Sequence, residues 1–416
     1  MLAALLMVPM LGSAGMIVDF SRAMQIRSDM QNAADMAALG AISEKSAGVL
    51  AAMTQAANGA VVLSEKDALQ LFNGQIGSSV PDFPITVTIS VTKTNASLKA
   101  SVAYSTSIPT TFLRVIGKET IAISGKAEAA FETASFQDFY VLLDNTPSMG
   151  VGATPADVKK MVANTPDACA FACHIVKNGV EDKNSYYNLA KKLGVTTRID
   201  VVAQATEALM TTVGDTRRYS NQFRMALYTF GEKAEDTKLL QVQSLTDDLD
   251  VAKTSAAKIK LMSIPEQGYD NDQQTNFDRA LTQINAQILT VGNGLSSTTP
   301  EKVVLLVSDG VGDSNKPSTC TKKTTGGRCQ EPIDTKFCKV LKDRNVRIAV
   351  LYTTYLPLPT NSWYNSWIAP FQTEIGSKMQ ECASPGLYFE VSPTEGISKA
   401  MNTLFLKAVR SPRLTS

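Results

Sequence analysis

The segment Tyr140-Val-Leu-Leu-Asp144-Asn-Thr146-Pro-Ser148-Met-Gly150 decides how the rest of the chain is read. An apolar run that ends abruptly on a carboxylate spells a short buried strand, and the loop after it offers hydroxyls at alternate positions. Buried parallel strands read as continuous apolar runs, and open α/β sheets keep their ligand crevice at the strands' carboxyl ends. One carboxylate and two hydroxyls are hard oxygen donors, suited to Mg²⁺ rather than to zinc or copper. Taken alone, the pattern also describes a helix N-cap or an Asx-turn.

Two later segments extend it. Gln274-Thr275-Asn276 precedes a helix-like run from Phe277 to Leu289, and Val303-Val-Leu-Leu-Val-Ser-Asp309-Gly310 is a second apolar strand ending on a carboxylate. The set resembles the metal-ion-dependent adhesion site of the von Willebrand factor A domain. That site has Asp-x-Ser-x-Ser in its first loop, a Thr in its second and an Asp in its third. The resemblance places Asp144, Thr146 and Ser148 in the first loop, Thr275 in the second and Asp309 in the third. Thr146 stands where the family usually has Ser, which keeps the hydroxyl, and Pro147 stiffens the loop.

The resemblance implies a von Willebrand A-type, Rossmann-like doubly wound sheet, mainly parallel. It also implies an Mg²⁺ or Mn²⁺ ion held directly by Thr146 and Ser148. Asp144 and Asp309 would supply charge directly or through water, and Thr275 would join directly or by water. One coordination place would be left for a carboxylate of a protein partner, and no turnover is expected. Phosphatases of the haloacid-dehalogenase type also end a strand on an Asp, but they want a second Asp two residues on, where this chain has Thr146.

At 416 residues the chain has room for two or three domains. Forty basic against thirty-nine acidic residues give a net charge of +1, so no bulk electrostatic case exists for nucleic acid. His174 is the one histidine, and Ser-His-Asp or Cys-His catalysis or a His-ligated zinc would have to run through it. Six cysteines, all after residue 150, favour disulfides in an oxidising compartment and leave fifteen pairings open. The expected set is Cys169–Cys173 and Cys320–Cys329, closing short inserted loops, with Cys338–Cys382 tying a helix to the loop before the last strand. Cys169-Ala-Phe-Ala-Cys173-His174 misses the haem-attachment spacing by one residue.

Residues 1 to 18 carry no charge, at the lower edge of a membrane-spanning helix. No basic stretch precedes this run and no cleavage site follows it, so the true start is expected upstream or trimmed. Arg22 and Arg27 argue for a cytoplasmic carboxyl side, whereas the cysteines want the bulk of the chain outside. Beyond the span, Ile26, Met30, Ala33 and Ala37 make a helical stripe. The helix should run unbroken to about Ile42, or about 60 Å.

Val-Asp19-Phe-Ser-Arg22 and Met30-Gln-Asn-Ala-Ala-Asp35-Met-Ala-Ala-Leu39 resemble the amino-terminal helix of the TadE/TadG-like Flp-pilus assembly proteins, some of which carry a von Willebrand A domain downstream. The segment from Cys338 through Cys382-Ala-Ser-Pro-Gly-Leu-Tyr388 is similar to the TadG pattern as well. The resemblance implies a component of the bacterial inner membrane with a single amino-terminal anchor. The bulk of the chain would lie in the periplasm or at the cell surface, binding pilus assembly components or a surface ligand. A free-standing surface adhesin is the other binding reading.

Three domains are expected: a transmembrane and extended helix over 1–43, a small α+β spacer over 44–135, and the A-type domain over 136–416. In the spacer, Ile85–Val91 and Ser97–Tyr104 alternate as half-buried antiparallel strands, with a third over Glu119–Phe131. The A-type domain has insertions near 150–196, 312–332 and 355–368. The last holds Trp363 and Trp367 with Tyr355 and Tyr364, either a partner-binding patch or cover for a local core.

Overall fold

The computed structural model describes residues 2–410 except 78–82, 134, 237, 270–273, 356, 359–360 and 393–395, with side chains from residue 15 onward. The chain divides into two units, residues 1–135 with 295–298, and residues 136–294 with 299–414.

The first unit contains α1 (Leu2–Ala41), α2 (Ala47–Thr54), β1 (Gly59–Ala60), α3 (Val62–Ile76), β2 (Ile85–Thr94), β3 (Ser97–Pro109) and β4 (Thr120–Glu132). The strands form one antiparallel sheet in the order β1-β2-β3-β4. The expected stripe is the buried face of α1, with Ile26, Met30, Ala33 and Ala37 at most 5% exposed. Small side chains there let α3, β3 and β4 approach closely. Asp19 turns inward as well, and its carboxylate accepts the N–H groups of Thr111, Phe112 and Leu113 at 3.0, 2.8 and 2.8 Å. The long helix and the spacer fall within one compact unit.

The expected membrane span over 1–18 lies mostly outside the described side chains, which begin at Gly15. Among the described residues no helix is long and apolar enough to cross a membrane.

The second unit starts with β5 (Gln137–Leu143), α4 (Pro155–Asn164), β6 (His174–Lys177), β7 (Val180–Glu181), α5 (Tyr186–Leu193) and α6 (Arg198–Thr216). It continues with β8 (Phe223–Thr229), β9 (Leu240–Thr246), α7 (Leu249–Ala256), β10 (Ser263–Ile264), α8 (Phe277–Gln287) and β11 (Glu301–Ser308). The hairpin strands β12 (Val311–Asn315) and β13 (Arg328–Pro332) follow, then α9 (Thr335–Asp343), β14 (Arg347–Thr353), α10 (Ser362–Trp367), α11 (Gln372–Cys382), β15 (Tyr388–Val391) and α12 (Ile397–Arg410).

Six strands make the main sheet, in the order β15-β14-β11-β5-β8-β9, parallel except for the antiparallel edge strand β9. The architecture is mixed α/β. Alternate residues of β5 feed two separate cores: Tyr140 and Leu142 pack with residues of α8, α9 and α11. Phe139, Val141 and Leu143 pack with residues of α6, α7 and α12. This explains the unbroken apolar run of β5, since neither face meets water.

At its amino end β5 is pinned in register. Asp138 lies between Lys302 of β11 and Arg224 of β8 as strand partners. It accepts the Lys302 ammonium at 2.5 Å and two Arg224 N–H groups at 2.7 Å each.

The first insertion is built rather than loose. α4, β6, β7 and α5 fall within it, and β6 pairs with β10 and β7 in a three-stranded sheet. In the third insertion Tyr355 and Tyr364 stack at 6.1 Å and are buried, so they belong to a local core, while Trp363 stays half-buried. Cys320–Cys329 and Cys338–Cys382 are bonded as expected. Cys169–Cys173 is not: both thiols are free. The Cys169 sulfur turns back to accept the Phe171 N–H at 3.4 Å and meets Cys173 only as a hydrogen-bond partner.

Candidate metal centre

The site forms where β5 and β11, adjacent and parallel, end together. The Asp144 N–H donates to Val307 O at 2.9 Å, so the sheet ladder itself sets the first carboxylate at the rim. The loop then turns sharply into the 3₁₀ turn Pro147–Gly150, with Pro147 in its first position. Asn145 fastens the outside of this loop, donating to Gly231 O and Lys260 O at 2.8 and 3.1 Å.

Asp144 is fully buried, and each of its oxygens is used. One accepts the Thr146 N–H at 3.0 Å and the Thr146 hydroxyl at 2.7 Å, and the other accepts the Ser308 hydroxyl at 2.6 Å. Thr146 Oγ1 in turn lies 3.5 Å from Ser148 Oγ and accepts from Thr275 Oγ1 at 2.8 Å. The Ser148 hydroxyl lies towards the Asp309 carboxylate and favours its charged form. Asp144, Thr146, Ser148 and Thr275 thus join one network, and Asp309 stands beside it at the end of the neighbouring strand. Thr275 is delivered by a backbone bridge to β12, donating to Asp313 O at 2.8 Å and accepting from Asp313 N at 2.9 Å.

Two participants were not singled out from the sequence. Ser308 directly precedes Asp309, and its hydroxyl could have been noticed there. Arg198, the first residue of α6, lies about fifty positions past the loop, and nothing in its sequence neighbourhood marks it. It is completely buried, and its Nη1 approaches Asp309 Oδ2 at 3.3 Å.

Electrostatics follow from this crowding. Burial, then the charge of Asp309, pushes the Asp144 carboxyl up to about 7. Burial raises Asp309 too, against the lowering pull of Arg198. Two buried carboxylates facing each other call for positive charge between them.

The donor set fits a small hard cation. The linked oxygens stand 2.7 to 3.5 Å apart, close to the roughly 3 Å edge of an octahedron with ~2.1 Å bonds. Elsewhere among the described residues, Cys320, Cys329 and Glu331 lie close enough to share an ion, but both sulfurs are consumed in a disulfide.

Above the site opens a cleft of about 410 Å³. Ser148 and Thr275 line its floor, and Cys169, Phe171, Tyr269 and Trp363 line its walls. The first insertion therefore supplies part of the mouth. The hydrogen bond between the thiols holds Cys169 below the ordinary thiol range and raises Cys173 above it.

No curated protein matches the chain. Among solved structures, the chain is similar to the vWF domain of the type V pili tip protein Mfa5 from Porphyromonas gingivalis. The identity is 9% and the TM-score 0.38, over 68% of this chain and 99% of that one. It is similar to proximal thread matrix protein 1 from the mussel byssus, solved with a zinc-occupied MIDAS motif. There the identity is 16% and the TM-score 0.35, over 66% of this chain and 46% of the other. The pilus adhesin RrgA from Streptococcus pneumoniae gives 12% and 0.32, over 79% and 49%. This chain spans about half the length of the last two. Residues 1–62 match the family model Tad, described as "Putative Flp pilus-assembly TadE/G-like", and in that segment the chain is TadE/G-like.

Proposed function

We infer that this chain is a pilus-associated assembly or adhesion component with a von Willebrand A-type, doubly wound domain. It grips a protein partner through a divalent cation, Mg²⁺ or Mn²⁺, held by Asp144, Thr146, Ser148, Thr275 and Asp309. The observation that carries this reading is the hydrogen bond from Thr275 to Thr146, which joins two loops 129 positions apart at the sheet's rim, where β11 also ends on Asp309. The TadE/G-like segment supports the pilus setting and a bacterial envelope location, with the body in the periplasm or at the surface.

Mg²⁺ keeps open or water-filled places in its octahedron. The half-buried Ser148 at the cleft floor gives a partner's carboxylate a way to one of them. Around the ion, this chain's residues orient and exclude water. Asp144 has both oxygens engaged and no acid or base two residues on, so the proposal includes no turnover.

The test is calorimetric titration of the purified chain with MgCl₂ and MnCl₂, followed by binding of a carboxylate-bearing peptide to the loaded protein. Asp144→Ala serves as control, and deletion in the source bacterium should cost pili. Absence of any ion binding in the folded protein defeats the reading.

A further inference from the structure

Arg198 is where a cation is least expected. It occupies the first turn of α6, whose N-terminal dipole disfavours positive charge, and its side chain is entirely withdrawn from water. Two backbone features hold it there. The Arg198 N–H donates to Val151 O at 3.0 Å, and Thr197 and Asp200 close a capping box around the helix start. The guanidinium meets Asp309 through Nη1 alone, while Nε and Nη2 are buried without a partner. One flat face lies 5.2 Å from the Tyr355 ring. An arginine recruited to satisfy a carboxylate ordinarily grips it with two parallel N–H groups. Here the geometry is single-point, and unmet donors are tolerated to keep a charge behind the site.

The charge count gives that a purpose. Two carboxylates and one guanidinium leave one negative charge, and a divalent cation turns this into one positive charge. Without the arginine, the loaded site would be neutral. We propose that Arg198 is a resident counter-cation of the ion site: it neutralises Asp309 when no ion is bound, weakens the grip on divalent cations, and leaves the ion-loaded site electropositive towards an anionic group. This rests on the cation-site reading above and adds the residue that sets its affinity and its sign. A merely structural arginine predicts the opposite change, because its loss would loosen the loops and weaken the ion.

The experiment is Mn²⁺ titration of the full chain, wild type against Arg198→Met and Arg198→Gln, with acetate titrated afterwards into each Mn²⁺-loaded protein. Expected are Mn²⁺ binding tighter by about tenfold or more in both variants, from removal of like charge in a buried site, and weaker acetate binding. Unchanged or weaker Mn²⁺ binding in the variants, with the wild type binding, overturns the inference and leaves the cation site standing. If none of the three proteins binds Mn²⁺, the cation site itself falls. A variant that folds poorly should be rescued by millimolar Mn²⁺, which takes over the charge opposite Asp309. Failure of both variants to fold even then also overturns the proposal.

Discussion

The Thr275 hydroxyl donates to the Thr146 hydroxyl across 2.8 Å, joining residues 129 positions apart in the chain. An ion in this network should stabilise the fold by mass action, by about 2.7 kcal/mol at a hundred times its Kd. For a unit of this size that amounts to several degrees in Tm. Thr275→Ala is expected to weaken ion binding roughly tenfold, Thr275→Ser to retain most of it, and Asp144→Ala to abolish the Mg²⁺-dependent shift. Thermal melts with and without MgCl₂ measure all three. An undiminished shift in Asp144→Ala would contradict the assignment.

Gly310 separates Asp309 from β12 at φ 75°, and a Cβ there would lie 2.5 Å from Ile375 Cγ2. Gly179 has a similar φ of 77° but open space around it. Gly179→Ala should therefore cost only the left-handed backbone penalty, about 1–2 kcal/mol. Gly310→Ala adds overpacking of about 1–3 kcal/mol and should displace Asp309, weakening the ion site in parallel. Urea unfolding of the two variants, side by side, separates backbone strain from steric conflict.

Asp138 takes charge from both neighbouring strands, and its loss would leave Lys302 buried without its carboxylate. Asp138→Ala is expected to destabilise by about 3–5 kcal/mol, the usual cost of breaking a buried pair from one side. Denaturant titration measures it. A loss under 1 kcal/mol would mean that water reaches the row.

The two disulfides should differ in worth. Cys338–Cys382 closes a loop with a sequence separation of 44, and Cys320–Cys329 one of 9. Chain entropy gives about 4 kcal/mol for the first and about 2.5 for the second. Paired Cys→Ala replacements, compared by thermal unfolding, should reproduce that order.

His174 supplies a pH dependence. Its Nδ1–H donates to Leu261 O at 2.9 Å, its ring lies 4.4 Å from that of Tyr187, and burial depresses its pKa despite Glu181 nearby. The unfolded chain therefore takes up the proton first as pH falls. The stability this residue contributes is complete above its unfolded pKa of about 6.5 and is lost as pH drops towards the folded value. Between pH 7.5 and 5, wild type should lose stability relative to His174→Gln. The chain has one histidine, so the difference belongs to it alone.

The sequence made the strand ends legible because β5 and β11 are buried on both faces, which leaves apolar runs punctuated by the first polar residue. Ile26, Met30, Ala33 and Ala37 were legible for a similar reason, as helical periodicity in small residues. Arg198 was not, since a basic residue after a capping threonine reads as an ordinary solvated helix start. Its burial follows from the path of the first insertion, which no local pattern encodes. The edge strand β9 is hard to read because its Leu240-Gln-Val242-Gln alternation breaks at Ser244 and none of its residues is fully buried. Cys169 and Cys173 were paired on spacing alone, whereas the turn between them aims one sulfur at a backbone amide.

The backbone bridge between Thr275 and Asp313 has a mechanical side. β12 and β13 form a largely buried hairpin whose connecting loop is tied back by Cys320–Cys329, with Arg328 clasping Asp313 through two N–H groups. Because Thr275 is stitched to that hairpin by main-chain bonds, any shift of Asp313 would carry the Thr275 hydroxyl with it, with no pliable side chain in between.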